Sequence, residues 1–554
     1  HAASMAQHIA RIKELNYDTV RFDPLERLSQ VAWDAYLNEC DRAGLYNLFP
    51  MPPYNDENME TYSREVSRFF ECYGSRPSII MWYTDFNTCS YPWNQDPAKL
   101  TDYDYNPPYL QAARARTRVA DKTMRAIDPT REIFQHAGGN SSEIFTSMNY
   151  QSFGTPLREQ ADWPKQWAQK HTRPLMVVES AFPYSAQYDY FDDRSVGTLG
   201  AEHAARYFGD SAFLAEKSPA PHPFYVFGAY SNPDPNMLRL SEMVYRNVVK
   251  AWRAYDMSAL GDFPEGRDLG RTAVSYDRHN AVFDQIPDPN PKKAGLRFDQ
   301  PVGGSEAQSH VLGDYTRRVG VNSVVRESFE PLLVFLGGDP EDFTERTHMY
   351  YSGEKFRKSA VIVNDKTSAQ KLSFKWTLTL AGREIAGGEF AKTVDAGGIE
   401  KLPIEIIVPQ VLKPADARLT LEALSADGVL IREDSFLLRF FPKHVKRKFG
   451  NIDIALFDPK GETAPLLDAA GLKYRKVKKF EDLDAARLLI VGRNAIGKKP
   501  SELLAKVESE KLIDRGLKVL VFEQKASANV GNFVFESPSY RDAFSRVPNS
   551  PHVA

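Results

Sequence analysis

Residues 173–180, Arg-Pro-Leu-Met-Val-Val-Glu-Ser, decide how the first half of the chain folds. After Pro174, an unbroken apolar run leads directly to the carboxylate of Glu179. A short apolar run of this kind is typical of a strand buried on both faces, as strands are in parallel α/β sheets. Active sites of such folds lie at the carboxyl ends of the strands, so the run predicts that Glu179 lies at the mouth of a barrel. The alternative is a strand-end carboxylate that pairs with a neighbouring arginine.

Strands of the same design alternate with helices through residues 1–270. Apolar runs end at polar residues in the segments 18–23, 45–49, 77–87, 131–136, 145–150, 174–179 and 257–262. Segments of helical period separate these runs, and one of them, residues 32–44, ends with Gly44 in the C-cap position. The order predicts a (β/α)8 TIM barrel. Its N-terminal strand is missing, because seven strand–helix units are present.

The later parts of the chain predict a multidomain protein of α/β plus β class. Residues 271–327 are rich in proline, glycine and polar residues, and predict a connector with little core. Residues 328–442 change to a period of two, for example in the run 372–380, which predicts an immunoglobulin-like antiparallel β-sandwich. Residues 449–554 alternate buried-type strands with helices and predict a doubly wound α/β domain that is cut short.

The composition excludes several classes of function. A chain of 554 residues predicts roughly three domains, and its net charge of -3 without a long basic run offers nothing to attract nucleic acid or an anionic membrane. No stretch approaches the roughly 20 apolar residues of a membrane span. Cys40, Cys72 and Cys89 have the spacing of neither a zinc site nor a redox pair, and we predict that they are core thiols. No cofactor and no metal are expected, and the oligomeric state is left open.

The first residues give no information on targeting. The chain opens with His1-Ala-Ala-Ser-Met, directly before a helical pattern and without a signal peptide. We interpret the sequence as a fragment whose N-terminal region is missing. Its location is therefore open, with a periplasmic or secreted protein as the expectation.

Five short motifs follow one another in a fixed order in residues 1–270. They are Lys13-Glu-Leu-Asn16-Tyr-Asp-Thr-Val20-Arg21, Tyr36-Leu-Asn-Glu-Cys40-Asp41-Arg-Ala-Gly44-Leu45, Arg76-Pro-Ser-Ile-Ile-Met-Trp82, Asn149-Tyr150 and Pro174–Glu179. In this order they resemble the catalytic barrel of glycoside hydrolase family 2, within the clan of retaining (β/α)8 glycosidases. The resemblance implies cleavage of a β-linked oligo- or polysaccharide with retention, a β-sandwich after the barrel, and Glu179 as the nucleophile.

The sequence departs from the family at the position of the proton donor. The family pattern would place Gly-Asn-Glu at residues 85–87, whereas this chain has Asp85-Phe86-Asn87. An amide does not donate a proton as a carboxylic acid does, so Asn87 is left as a candidate substrate contact. The strand period places Tyr83, Asp85 and Asn87 on one face, which makes Asp85 the nearest alternative acid/base, one pleat deeper. A β-bulge would be needed to bring its shorter side chain to the bond.

Further candidate contacts accompany the nucleophile. Asn149-Tyr150 resembles the family's tyrosine segment near the nucleophile. Tyr150 is a candidate hydrogen-bond partner for the nucleophile, and Asn149 is a candidate substrate contact. Arg21 is a candidate for keeping the nucleophile ionised, with a structural ion pair at the barrel rim as the alternative. His136 is a candidate contact for substrate hydroxyls, with a core histidine as the alternative. Trp93 lies near loop sequence and is a candidate stacking surface.

Other conspicuous residues are predicted to be structural. Trp82 faces away from the side of Asp85, and we predict that it packs in the core. Trp163 and Trp167 have the spacing of a helix packing face. Gly138-Gly139 is too short to cradle a phosphate.

The residues leave three hypotheses of function. The first is a retaining glycosidase, which needs two carboxyl groups about 5–5.5 Å apart. The second is a degenerate barrel that has lost its proton donor and binds glycans or has a structural role. The third is a nucleotide-binding or amidotransferase role of residues 449–554, which resemble a glutamine-amidotransferase-like domain. That segment has no cysteine and no phosphate fingerprint, which disfavours the third hypothesis.

Overall fold

The computed structural model describes an α/β part, a β part and a second α/β part. The described residues are Tyr54 and the ranges 6–21, 30–52, 58–83, 107–149, 156–180, 243–260, 324–443, 450–524, 528–530 and 533–535, without positions 7, 8, 11, 137, 244, 325, 451, 484, 485, 498–500 and 515. No helix among them is long and apolar enough to cross a membrane.

Seven described strands lie in the first 260 residues, and each overlaps one of the predicted segments. They are β1 (Thr19–Arg21), β2 (Tyr46–Pro50), β3 (Ile79–Tyr83), β4 (Glu132–Phe134), β5 (Phe145–Asn149), β6 (Leu175–Ser180) and β7 (Ala259–Leu260). All hydrogen-bonded neighbours run parallel, in the orders β1–β2–β3–β4 and β5–β6–β7.

Helices connect these strands. They are α1 (Gln30–Ala43), α2 (Met59–Tyr73), α3 (Pro108–Ile127), α4 (Leu157–Ala161), α5 (Lys165–Ala168), a π-helical turn (Tyr245–Val249) and α6 (Lys250–Ala254). Gly44 follows α1 with a φ of 66°, the left-handed conformation that the C-cap prediction requires. The side chain of Asn58 caps α2 by accepting a hydrogen bond from the Thr61 amide. Alternation of parallel strands with helices is therefore confirmed for the described residues except between β4 and β5, where the described residues of 135–144 contain no helix and the predicted strand–helix unit is wrong.

The strand side chains divide between an inner and an outer face. On the inner face, β2, β3, β4 and β6 contribute to one buried cluster, which contains Leu48, Tyr83, Phe134, Met176 and Val178. Since β2–β4 belong to one sheet and β6 to the other, the two sheets curl around a common core. The carboxyl ends of parallel strands consequently lie at one edge of that core.

Helices cover the outer face of each sheet. Phe49, Trp82 and Ile133 pack against α1, α2 and α3. Phe145 and Leu175 pack against the helices that lie between β5 and β7. Burial on both faces is the reason that these strands are continuous apolar runs rather than alternating ones.

The cysteines divide between core and surface. Cys40 is buried, as predicted, and the Cys72 thiol is exposed, so that prediction is wrong for Cys72. The buried face of α2 consists of Tyr62, Val66 and Tyr73, and Cys72 lies off this stripe. Cys89 lies outside the described residues.

The second part of the chain is a pair of packed sheets. Its strands are β8 (Leu332–Gly337), β9 (Met349–Tyr351), β10 (Lys355–Asn364), β11 (Gln370–Leu380), β12 (Arg383–Val394), β13 (Gly398–Ile407), β14 (Ala415–Ser425) and β15 (Leu430–Phe441). They form a three-stranded sheet in the order β13–β10–β8 and a five-stranded sheet in the order β12–β11–β14–β15–β9. Their inner faces share one core. All pairs are antiparallel except β9 with β15, which the sequence pattern did not predict.

The end of the predicted connector belongs to a core. Residues 324–328 include a helical turn, in which Val324 is buried and packs in the cluster that contains Tyr245. The Ser328 hydroxyl donates to the Val324 carbonyl oxygen over 2.7 Å. A turn this short has no readable period, which is why composition alone predicted little core for residues 271–327.

Helix α6 joins the first part to the sandwich. Ala251 and Ala254 pack against Leu333, Phe335 and Val361 on the outer face of the three-stranded sheet. Because alanine side chains are short, the helix axis lies close to the sheet. This contact buries a sheet face that would otherwise be an exposed apolar patch.

Polar contacts surround that apolar joint. Arg158 and Lys165 both pair with Asp342 of the sandwich. Arg253 donates to the carbonyl oxygens of Ser328 and Glu330 and pairs with Asp365, and its side chain is only 11% exposed. The joint thus combines an apolar centre with a charged rim.

The last part is a small parallel sheet with helices on both faces. It contains β16 (Ile454–Phe457), α7 (Ala464–Ala469), β17 (Arg475–Lys476), a 3-10 turn (Phe480–Leu483), β18 (Leu488–Val491), α8 (Glu502–Ser509) and β19 (Lys518–Val521), followed by the antiparallel pair β20 (Ala528–Val530) and β21 (Phe533–Phe535). The strand order β17–β16–β18–β19 reverses at β16, so α7 and α8 cover opposite faces.

Lys250 is a destabilising feature of the joint. It is 5% exposed and makes no hydrogen bond or ion pair with the residues that the structure describes. Burial lowers its pKa from 10.5 to about 8, against the opposing effect of Asp434. Since the unfolded chain binds this proton more tightly than the folded protein does, the charge costs stability at pH 7 and the cost is relieved between pH 8 and 10.5.

We therefore expect Lys250→Met to raise the free energy of unfolding at pH 7 by about 1–3 kcal/mol. The gain should shrink at pH 10, where the wild-type amine is neutral in the folded protein. Urea unfolding at both pH values measures it, with the exposed Lys122→Met as the matched control. A lower stability of Lys250→Met at pH 7 would contradict this account.

Candidate active site

Four of the predicted site residues lie at the carboxyl ends of the parallel strands. Arg21 is the last residue of β1, Asn149 is the last residue of β5, Glu179 precedes the last residue of β6, and His136 follows β4. The curled sheet therefore brings these residues to the same edge. The other predicted residues are outside the part of the chain that the structure describes: Asp85, Asn87, Trp93 and Tyr150.

Arg21 lies on the inner face of its sheet. It pairs with Leu48 of β2, which belongs to the inner core, whereas the preceding pair Val20–Asn47 faces the outer helices. Its side chain is half-buried. The register thus places the Arg21 cation at the inner rim of the sheet. This position fits both alternatives for Arg21, a partner that keeps the nucleophile ionised and a structural ion pair.

A β-bulge lies directly before Glu179. Ser147 pairs with Val177, but the next residue of β5, Met148, pairs with Glu179, so Val178 is the extra residue in β6. A bulge of this kind bends its strand and changes the face on which the following residues lie. The sequence of β6 shows no sign of it, because an apolar run looks the same with or without an extra residue.

A second bulge lies in β3, the strand that leads to Asp85. Asn47 pairs with Ile79 and Leu48 pairs with Met81, so Ile80 is the extra residue. In the described sheets of the first 260 residues, β3 and β6 are the two strands with such a register shift. Glu179 belongs to β6, and β3 ends two residues before Asp85 in the sequence.

Trp82 packs on the outer face, as predicted. It is fully buried, and its indole N–H donates to a carboxylate oxygen of Asp128 over 2.7 Å. Arg131 pairs with the same carboxylate and lies over the indole ring. Burial raises the pKa of Asp128, but the hydrogen bonds from Thr130, Trp82 and Arg131 outweigh this effect and hold the pKa well below its usual range. Trp82 is therefore part of a structural network.

Trp163 and Trp167 also pack in a core, as predicted. Their exposed fractions are 9% and 2%. The Trp163 ring lies 5.4 Å from that of Trp252, and the Trp167 indole donates to the Arg173 carbonyl oxygen. These tryptophans support the helical layer outside β6.

His136 and Asn149 are both buried. His136 is 0% exposed, which fits the core alternative better than a contact with substrate hydroxyls. Asn149 is 3% exposed, and its amide N–H2 group has no hydrogen-bond partner in the described part of the chain. A buried donor without a partner is unusual in proteins, so this amide is the better candidate for a ligand contact of the two.

The segment 135–142, which we name the β4–β5 loop, is fixed from the inner side of the sheet. The Thr146 hydroxyl donates to the Gln135 carbonyl oxygen over 2.7 Å and accepts a hydrogen bond from the Gly138 amide over 2.9 Å. The Thr146 amide donates to the Gly139 carbonyl oxygen. The Gly138 amide is thus bonded within the protein.

The same loop is also fixed from the outer side. The Asp121 carboxylate of α3 accepts one hydrogen bond from the side-chain amide of Gln135 and another from the Ser142 hydroxyl. Arg114 of the same helix donates to the side chain of Asn140. Sequence reasoning missed Asp121, because an acidic residue in a helix carries no local sign of the loop that it will meet.

No metal site is evident among the described residues. They contain no group of three or more His, Cys, Asp or Glu side chains that could hold a metal ion.

Comparison with known proteins gives a weak likeness to β-glycosidases. No family model and no curated protein matches the chain. Among solved structures, it is similar to a β-D-mannosidase from Dictyoglomus thermophilum, with a TM-score of 0.43 and 10% identity over 79% of this chain and 48% of that one. An exo-chitosanase from Amycolatopsis orientalis gives 0.40, with 12% identity over 79% and 46%. A β-glucuronidase from Parabacteroides merdae gives 0.33, with 11% identity over 82% and 47%. The chain spans about half the length of these proteins, and TM-scores this low assign it to no family.

Thr146 offers a direct test of the inner hold on the β4–β5 loop. We expect Thr146→Val, which keeps the shape but removes the hydroxyl, to lower the free energy of unfolding by about 1–3 kcal/mol, because Thr146 is fully buried. Thr146→Ser should restore most of the loss. Denaturant unfolding of the three proteins measures the effect, and equal stability of Thr146→Val and wild type would contradict it.

Proposed function

We propose that this chain is a glycosidase-like enzyme that cleaves a β-linked oligo- or polysaccharide with retention, with Glu179 as its nucleophile. The proposal includes a (β/α)8 barrel for residues 1–270, with the sandwich at 328–442 and the α/β domain at 449–554 as appended domains. The curled parallel sheet, with a common inner core and an outer helical layer, supports the barrel.

The bulge at Val178 is the observation that carries the proposal. Without the extra residue, position 179 would follow Leu175 and Val177, which pack against the outer helices. With it, position 179 pairs with Met148, two residues after Thr146, whose partner Met176 belongs to the inner core. Paired residues of neighbouring strands share a face, so this register supports an inward-facing position for residue 179. A strand that only packed in a core would not need this change of face at residue 179.

The proposed chemistry uses two carboxyl groups. The Glu179 carboxylate attacks the anomeric carbon while a carboxylic acid protonates the leaving oxygen. The carboxylate left by that acid then takes a proton from the water that attacks the glycosyl–enzyme, which releases Glu179 and restores the acid. Arg21, on the inner face, would lower the pKa of a carboxylate near it and keep the nucleophile ionised. We assign the acid role to Asp85, because Asn87 occupies the usual position and has no acidic proton.

A barrel that binds glycans without cleaving them is the second candidate. Asn87 at the proton-donor position is the specific observation in its favour. A glycan-binding barrel would bind glycans saturably without turning them over, whereas the enzyme would hydrolyse them. Calorimetry measures this binding, and Asp85→Asn should leave it unchanged.

The contacts of Asp458 disfavour a nucleotide site in the last domain. Asp458 directly follows β16, at the reversal of strand order, where ligands of such sheets bind. One of its carboxylate oxygens accepts hydrogen bonds from the amides of Thr463 and Ala464. A phosphate would use amides of this kind, so the carboxylate takes its place.

Glu179→Gln tests the nucleophile. We expect it to lower turnover of 2,4-dinitrophenyl β-glycosides by about 10³-fold or more, because an amide does not form the glycosyl–enzyme bond. A 2-deoxy-2-fluoro glycoside should label wild type on the peptide that contains Glu179, as mass spectrometry would show. The exposed Glu65→Gln is the matched control. Labelling of another residue, or no activity on a broad panel of sugars, would count against the proposal.

Asp85→Asn tests the acid. Its loss should lower turnover of glycosides with a poor leaving group by about 10²–10⁴-fold, because only these need protonation of the leaving oxygen. For the dinitrophenyl substrate, the rate of glycosyl–enzyme formation should change much less, because this leaving group does not need protonation. Equal losses on both substrates would assign Asp85 a structural role instead.

A further inference from the structure

Asp121 connects both ends of the β4–β5 loop to helix α3. One carboxylate oxygen accepts a hydrogen bond from the Gln135 side-chain amide, at the start of the loop. The other accepts a hydrogen bond from the Ser142 hydroxyl over 2.6 Å, at its end. Gln135 and Ser142 are themselves buried, and Asp121 is half-buried.

The charge of Asp121 is poorly compensated. Arg125, one helical turn away, pairs with Glu143 and Glu132 rather than with Asp121. Arg114 on the same helix donates to Asn140, and Arg173 before β6 donates to the Ser142 carbonyl oxygen. His136, another titratable group, belongs to the loop itself. Among the described residues, the side chains that donate to Asp121, those of Gln135 and Ser142, are therefore neutral.

Burial raises the pKa of Asp121 from 3.8 to about 6, although the hydrogen bonds from Ser142 and Gln135 act in the opposite direction. Glu143 adds to the rise and Arg125 reduces it. When the loop opens and water reaches the carboxylate, its pKa returns towards the ordinary value. The closed loop thus binds the proton more tightly than the open loop, so protonation favours the closed form and ionisation favours opening.

We propose that Asp121 is a pH-sensitive pin of the β4–β5 loop, which holds the loop firmly when protonated and loosens it when ionised. The hold is complete below the ordinary pKa of an aspartate and is lost as the pH rises through the range of the folded-state pKa. The loop begins at the carboxyl end of β4, two strands before the strand that contains Glu179, and it ends shortly before β5 begins. Any effect of the loop on glycan hydrolysis rests on the proposed function, whereas the loosening of the loop on ionisation of Asp121 does not.

Hydrogen exchange followed by mass spectrometry tests the pin without any need for activity. After correction for the intrinsic exchange rate, we expect the opening of peptides that span residues 135–146 to increase about tenfold between pH 5 and pH 8 in wild type. Asp121→Asn, which has no charge to bury, should remove this increase. The exposed Glu65→Gln should behave as wild type does. An increase of the same size in Asp121→Asn, or none in wild type, would overturn the proposal.

A second variant keeps the carboxylate and changes only its surroundings. Ser142→Ala removes one of the donors that lower the pKa of Asp121, so the midpoint of the pH dependence should move to higher pH. A midpoint that stays or falls would contradict the pin even if Asp121→Asn failed to fold. An inactive wild type with the expected exchange behaviour would instead count only against the proposed hydrolysis.

Discussion

The need of each parallel strand to bury two faces governs the first part of this protein. Inside, Leu48, Phe134 and Met176 meet in one core, although they come from two separately hydrogen-bonded sheets. Outside, the helices cover the other face of the same strands. Given this constraint, the sheet has to curl, because a flat one would leave the inner face in water. The curl in turn gathers the strand ends at one edge, where polar side chains accumulate.

Much of this architecture could be predicted from local sequence. A strand buried on both faces is a continuous apolar run, and a sandwich strand alternates, so the two were separable without tertiary information. The turn at Gly44 was readable for the same reason, since its left-handed conformation is a local requirement.

Features that depend on register or on distant partners could not be predicted. The extra residues Ile80 and Val178 lie inside apolar runs, and only the pairing with neighbouring strands reveals them. Asp121 resembled an ordinary helical acid until the fold brought Gln135 to it. Cys72 was assigned to a core because cysteine is usually buried, yet it lies off the apolar stripe of its helix. For the candidate site, the sequence indicated the strand ends and the resemblance indicated roles, but a choice between the two alternatives for His136 needed its burial in the fold.

The packing of helix α6 has a consequence for how far the chain can be shortened. Its alanines contact the sandwich, and only a few residues later Ser258 exchanges hydrogen bonds with Leu175, at the start of the strand that contains Glu179. Through helix α6 and Ser258, the sandwich therefore supports β6, the strand that contains the candidate nucleophile. A minimal version of this protein has to retain both parts, because removing the sandwich would strip the support from behind β7 and uncover apolar surface beside it.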